Sequence, residues 1–101
     1  MRTFKLESDF QSHLIETIYD IFGDEDCIVL KQDTRQGIPD LLVLYKDKWA
    51  LLECKKSEKE KHQPNQDYYI DWANKQMSFG RFIFPGNEEE VLYELQQALR
   101  A

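Results

Sequence analysis

Apolar positions along the chain fall into seven segments, and their spacing changes character from one to the next. Over residues 7–22, Phe10, Leu14, Ile15, Ile18, Ile21 and Phe22 recur at helical spacing, and Gly23 with Asp24 closes the run. Ser8 or Asp9 is the expected cap. Glu7, Gln11, Leu14 and Ile18 share one stripe towards the core, with Glu16 and Asp20 on the solvated side. His13 lies off that stripe and reads as a solvent-facing residue without a role. Cys27-Ile28-Val29-Leu30 is short and apolar, a strand, and the polar KQDTRQG of residues 31–37 leads out of it.

Two more apolar runs follow, joined by charge. Leu41 to Tyr45 is one strand, Lys46-Asp47-Lys48 the turn, and Trp49-Ala50-Leu51-Leu52 opens the next. Both runs are apolar on both faces, the pattern of central strands covered by helices. The charged SEKEKHQ of residues 57–63 has no apolar anchor and predicts a mobile loop. A second helix begins at Pro64-Asn65-Gln66, with Pro64 in its first turn and Tyr69, Ile70, Ala73 and Met77 as its stripe. Ser78-Phe79-Gly80 ends it, Arg81 to Phe84 is a last strand, and Pro85-Gly86 stops that strand. Asn87 is the expected cap of a final helix buried through Val91, Leu92, Leu95, Ala98 and Leu99, with Glu88, Glu89 and Glu90 in its first turn. The order α-β-β-β-α-β-α predicts an α/β fold, a central mixed sheet flanked by helices, formed by residues 1–101 as a single domain.

What a plain hairpin does not explain is the position of its charges. Asp40 follows Pro39 at the start of one strand, and Glu53 and Lys55 end the other, two apart and therefore on one face. Folding at residues 46–48 brings Asp40 beside Glu53 and Lys55. Converging buried carboxylates need a compensating charge, and a divalent cation supplies one. Gly37 permits close backbone approach, and Pro39 holds Ile38 out of helical geometry, so Asp40 is aimed by a stiffened chain.

Pro39-Asp40 followed by Glu53-x-Lys55 resembles the signature of the PD-(D/E)xK nuclease superfamily. With Gln36-Gly37-Ile38 before it, Cys54 and Lys56 flanking Lys55, and Gln66 in a helix after it, the chain is similar to the virus-type replication-repair (VRR) nuclease domain in its standalone, often phage-encoded form. The similarity runs from about Glu7 to Leu99, and Glu7-Ser8-Asp9-Phe10-Gln11 matches the E-S-x-x-Q that opens the first helix of such domains. It implies the PD-(D/E)xK core and Mg²⁺- or Mn²⁺-dependent hydrolysis of DNA phosphodiesters. Asp40, Glu53, the backbone carbonyl of Cys54 and Glu7 are then the metal ligands, Lys55 the residue that positions or deprotonates the attacking water and stabilises the growing charge, and Gln66 the support of that lysine or of the water. Glu7 has a second reading, a carboxylate favoured by the helix dipole. Standalone relatives are associated with branched DNA such as four-way junctions; symmetric cutting needs two sites and hence a homodimer. The aromatics Tyr68, Trp72 and Tyr93 are candidates for that contact, with core packing as the other reading.

Composition qualifies this picture. A formal charge of −6 opposes tight non-specific binding of nucleic acid. Six lysines nevertheless lie between Lys46 and Lys61, and Lys31 and Arg35 approach from the preceding segment. A nicking or single-strand nuclease, and a non-catalytic nucleic-acid- or protein-binding module, remain as alternatives. Cys27 and Cys54 have no metal-type spacing and read as core residues in a reducing compartment. The N-terminus is polar from Arg2 through Gln11 and no apolar run spans a bilayer, so the expected location is cytoplasmic, the host cytoplasm for a phage-encoded chain.

Overall fold

In the computed structural model, which describes residues 4–33 and 36–101, the first helix, α1 (Glu7–Phe22), buries Phe10, Leu14, Ile18 and Phe22 along one stripe. Ser8 and Asp9 lie inside it. The residue before the helix is the extended Leu6, which makes no side-chain cap bond. An apolar contact fixes the chain's approach instead: the Phe4 and Phe10 rings sit 5.2 Å apart, a variant of the hydrophobic staple. Gly23, at φ 77°, ends α1 with its N–H bonded to the Tyr19 carbonyl at 2.7 Å.

Four strands follow the predicted order: β1 (Cys27–Lys31), β2 (Leu41–Tyr45), β3 (Lys48–Cys54) and β4 (Phe79–Ile83). They pair as β1-β2-β3-β4, antiparallel twice and then parallel. The β2–β3 turn is two residues, since Lys48 pairs with Tyr45 and Lys46 takes φ 54°. The last strand starts at Phe79, two residues before the expected Arg81. The helix between the parallel strands, α2 (Gln66–Lys75), starts after Pro64 and stops before Met77. Asn65 at φ 73° and Met77 at φ 61° mark the turns on either side, and Met77 is 96% exposed rather than part of the apolar stripe.

Register divides the side chains into two faces. Val29, Val43, Ala50 and Phe79 form one row, and Leu41 and Leu52 lie in the next on the same side. These join Phe10, Leu14, Ile18 and the buried Val91, Leu92, Leu95 and Leu99 of α3 (Glu88–Leu99) in one core. On the other face lies α2, so close at Gly80 that a Cβ there would stand 2.7 Å from the Ile70 carbonyl oxygen. Helix α2 covers only the β3–β4 half. Leu42, Leu44, Trp49 and Leu51 are half-buried, and Ile28 and Leu30 are 53% and 42% exposed. The expectation that helices cover both faces of the central strands therefore fails on this side: among the described residues one helix lies here, against a sheet of four strands.

Both sheet edges are occupied by side chains. On β1 the outward Val29 N–H donates to the Tyr19 hydroxyl at 2.8 Å. On β4 the Asn74 carboxamide accepts from the Gly80 N–H and donates to the Gly80 carbonyl, each at 3.0 Å. Asn87 stands at the expected N-cap position of α3, but its side chain makes no cap bond there: it accepts from the Phe84 N–H at 2.8 Å and donates to the Phe82 carbonyl at 3.1 Å. Such plugs remove the free donors and acceptors through which open edges recruit other strands. Among the described residues no helix is long and apolar enough to cross a membrane.

Candidate metal centre

The site grows from one feature of the β2–β3 register. Leu41 pairs with Leu52, so Asp40 and Glu53 face each other one step further along. Backbone amides lock them together. The Asp40 N–H donates to Glu53 Oε1 at 3.2 Å, and the Cys54 N–H donates to Asp40 Oδ2 at 2.9 Å. The Asp40 carbonyl in turn accepts from the Gln32 N–H at 2.7 Å. On a strand a residue's N–H and C=O point to the same side, so the Cys54 carbonyl also faces Asp40. Upstream, Gly37 adopts φ 88° and packs so tightly that a Cβ would lie 2.6 Å from Asn65 Cβ. That contact fastens the segment carrying Asp40 to the residue preceding Gln66.

Glu7 arrives from the other layer as the first residue of α1. Glu7, Asp40 and Glu53 each present a ligand oxygen, and these oxygens all lie within 4.8 Å of one another. Lys55 is almost wholly buried. Its ammonium donates to Gln66 Oε1 at 2.6 Å and to the Lys61 carbonyl at 3.2 Å, and lies 3.7 Å from Glu60 Oε2. Gln66 completes the circuit: its Nε2 donates to Glu53 Oε2 at 2.8 Å, while its Oε1 also accepts from the Gln63 N–H at 2.8 Å. All five side chains singled out in the sequence thus converge in one place. Glu60 was not among them, and nothing in its spacing distinguishes it from the other charges of its segment.

Electrostatics follow from the crowding. Burial, then the neighbouring Asp40 charge, pushes the Glu53 carboxyl up to about 8. Burial also raises Asp40, against the opposing pull of the Cys54 N–H, and raises Glu7, with Glu60 and Asp40 adding to the effect. Burial likewise holds the Cys54 thiol protonated, which leaves that residue's backbone as its contribution. Three hard oxygen donors around one point, with a single buried ammonium beside them, form a donor set suited to Mg²⁺ or Mn²⁺ and unsuited to soft metals.

The surroundings differ from expectation in three respects. Lys46 and Lys48 sit at the turn of the hairpin, the end remote from Asp40 and Glu53. Lysines beside the site are therefore Lys31, whose charge acts on Asp40, and those of the 55–61 segment; Arg35 lies outside the described residues. Residues 57–63 do have anchors: the Lys56 N–H donates to Glu60 Oε1 at 2.6 Å, and the His62 ring stacks on Phe82 at 4.1 Å. His13 is not idle either, with Nε2 2.7 Å from Glu88 Oε2, joining α1 to α3. Comparison with protein-family models, with curated proteins and with solved structures returned no match.

Proposed function

We propose that this chain is a metal-dependent, structure-selective DNA endonuclease built on the PD-(D/E)xK core of the VRR kind. One observation carries the reading: Glu7, Asp40 and Glu53 converge within 4.8 Å beside a buried Lys55 held by Gln66. The order of elements and the antiparallel, antiparallel, parallel sheet agree with it.

In this reading Asp40, Glu53, Glu7 and the Cys54 carbonyl hold Mg²⁺ or Mn²⁺. When bound, the ion supplies an activated water and neutralises charge on the phosphate. Lys55 acts on the attacking water and offsets the negative charge that grows on the phosphate. Gln66 sets the direction of that ammonium and, through Nε2, the rotamer of Glu53. The loop carbonyl of Lys61 and the carboxylate of Glu60 hold Lys55 until an anionic substrate competes for it.

Branched DNA, with four-way junctions as the leading case, is the proposed substrate, and a homodimer the proposed form, because among the described residues the chain carries one such centre. Tyr68 and Trp72, exposed beside an apolar groove of about 290 Å³ that also includes Leu51, offer uncharged surface for pairing.

The deciding experiment is a cleavage assay with Mg²⁺ or Mn²⁺ on a four-way junction, a fork, linear duplex and single strand, with Lys55→Ala as control. Paired nicks in the junction alone, lost in the variant, support the full reading. Nicking of other forms keeps the nuclease and removes the junction, and no cutting by folded, metal-saturated protein leaves a binding module.

A further inference from the structure

The geometry points to His62 as a substrate-positioning residue, one that holds a DNA backbone phosphate next to the phosphate being cut. This rests on the nuclease reading above and concerns a residue with no part in the carboxylate–lysine centre.

His62 lies between two residues whose backbones are tied to that centre. The carbonyl of Lys61 accepts from Lys55 Nζ at 3.2 Å, and the N–H of Gln63 donates to Gln66 Oε1 at 2.8 Å. The His62 Cα is therefore held by the same lysine and glutamine that organise the centre. Its ring is held as firmly: it stacks on Phe82 with centroids 4.1 Å apart and planes 17° from parallel. Phe82 pairs with Glu53 across β3 and β4, so the ring on which the imidazole stacks stands one strand spacing from a proposed metal ligand, on the same face of the sheet. Nδ1 lies 2.9 Å from Asp67 Oδ1. Asp67 follows Gln66 directly, so a single helical turn sets both the lysine's partner and the histidine's.

Two of the ring's three anchoring directions are thereby used, by Phe82 below and Asp67 at Nδ1. Among the described residues Nε2 has no protein partner, and the side chain is 37% exposed. A surface histidine with no task gains nothing from such immobilisation. One that must present a donor at a fixed point does, because the rotamer entropy is lost before the ligand arrives. In the imidazolium form both nitrogens donate, one to Asp67 and the other outward, and an oxyanion is the natural acceptor. Asp67 faces the ring from α2, β4 presents the uncharged Phe82, and the ring's own segment brings Glu60 and Lys61. The site thus adds one aimed cationic contact to a chain of net charge −6, whose generic attraction for DNA is weak.

The test is steady-state cleavage by the full chain near pH 6, in Mg²⁺, comparing wild type with His62→Phe, His62→Arg and Asp67→Asn. His62→Phe keeps a ring on Phe82 and removes the outward donor. It raises KM for DNA about tenfold with kcat little changed, the loss of one charge-assisted hydrogen bond. His62→Arg, able to stack and to donate, restores KM, and Asp67→Asn gives an intermediate rise. Thermal melting in Mn²⁺ verifies that each variant is folded and metal-competent. An unchanged KM in folded His62→Phe overturns the inference while leaving the nuclease standing, and so does a fall in kcat at constant KM. A wild-type chain that cuts no DNA overturns both.

Discussion

The buried Lys55 ammonium and the carboxamide of Gln66 meet at 2.6 Å, and the same carboxamide donates from its nitrogen to Glu53 at 2.8 Å. A neutral side chain thus stands between a cation and a carboxylate, using its oxygen for one and its nitrogen for the other. Gln66→Ala strands a lysine donor, a glutamate acceptor and the Gln63 N–H at once. We expect a loss of about 2–3 kcal/mol in urea unfolding, at the cost of roughly 1 kcal/mol or more for each buried group left unmet. Gln66→Glu, of the same shape, should recover the contact to Lys55 but loses the Nε2 donor that orients Glu53, and so should cleave poorly while melting closer to wild type. Equal midpoints for wild type and Gln66→Ala would show that the network is not a stabilising unit.

Stability without metal should fall as pH rises. Glu53 titrates near 8 in the folded chain against about 4.5 for an ordinary glutamate, so between those values the folded state holds a proton that the unfolded state has released. Stability then decreases with pH through this window, and the upward shifts of Asp40 and Glu7 act in the same direction. Melting in EDTA should therefore be highest near pH 5 and decline towards pH 8, and saturating Mn²⁺ should flatten the curve. A melting temperature that rises over this range in EDTA contradicts the assignment.

Asp40→Asn tests the donor set directly. A ligand at a hundred times its dissociation constant stabilises the fold by about 2.7 kcal/mol. Wild type should show a shift of that order with Mn²⁺ in differential scanning fluorimetry, and the variant little or none. Comparable shifts in both proteins would place the ion elsewhere.

Gly37→Ala probes the join between the Asp40 segment and α2. The position has φ 88°, and a Cβ there meets both Asn65 Cβ and, at 2.7 Å, the Pro64 carbonyl oxygen. Strain and collision together should destabilise by about 2 kcal/mol or more. Because the same contact aligns Asp40 with Gln66, cleavage should drop further than the stability loss explains. Full activity in the folded variant would show that this contact does not set the alignment.

Removing an edge plug should expose the sheet. Asn74→Ala frees the N–H of Gly80, whose carbonyl keeps its bond from Arg81 Nη1 at 2.8 Å, with an expected loss of about 1 kcal/mol and increased light scattering at high concentration. Tyr19→Phe, which frees a single amide on the opposite edge, should cost about 1 kcal/mol. Monodisperse behaviour of Asn74→Ala at every concentration would argue that the edge is protected by other means.

What the sequence determined by itself were the quantities carried by local periodicity and short-range spacing. The stripe of Phe10, Leu14 and Ile18 specified α1, and the two apolar runs with charge between them specified the β2–β3 hairpin. The hairpin alone then brought Asp40 opposite Glu53, because antiparallel register is set by the turn. The boundaries that moved were those decided by backbone geometry and pairing: α2 begins after a left-handed Asn65, and β4 starts at Phe79, while α1 kept its expected bounds and only exchanged a capping hydroxyl for an aromatic contact. Tertiary structure alone decided which polar groups from distant segments met. It carried Glu7 across from another layer, laid Glu60 and Lys61 against Lys55, joined His13 to Glu88, and turned Asn74 and Asn87 onto the edge of β4. Apolar periodicity states which face of an element avoids water. It does not state which buried donor will find which acceptor, since that depends on the relative placement of packed elements and not on spacing within any one of them.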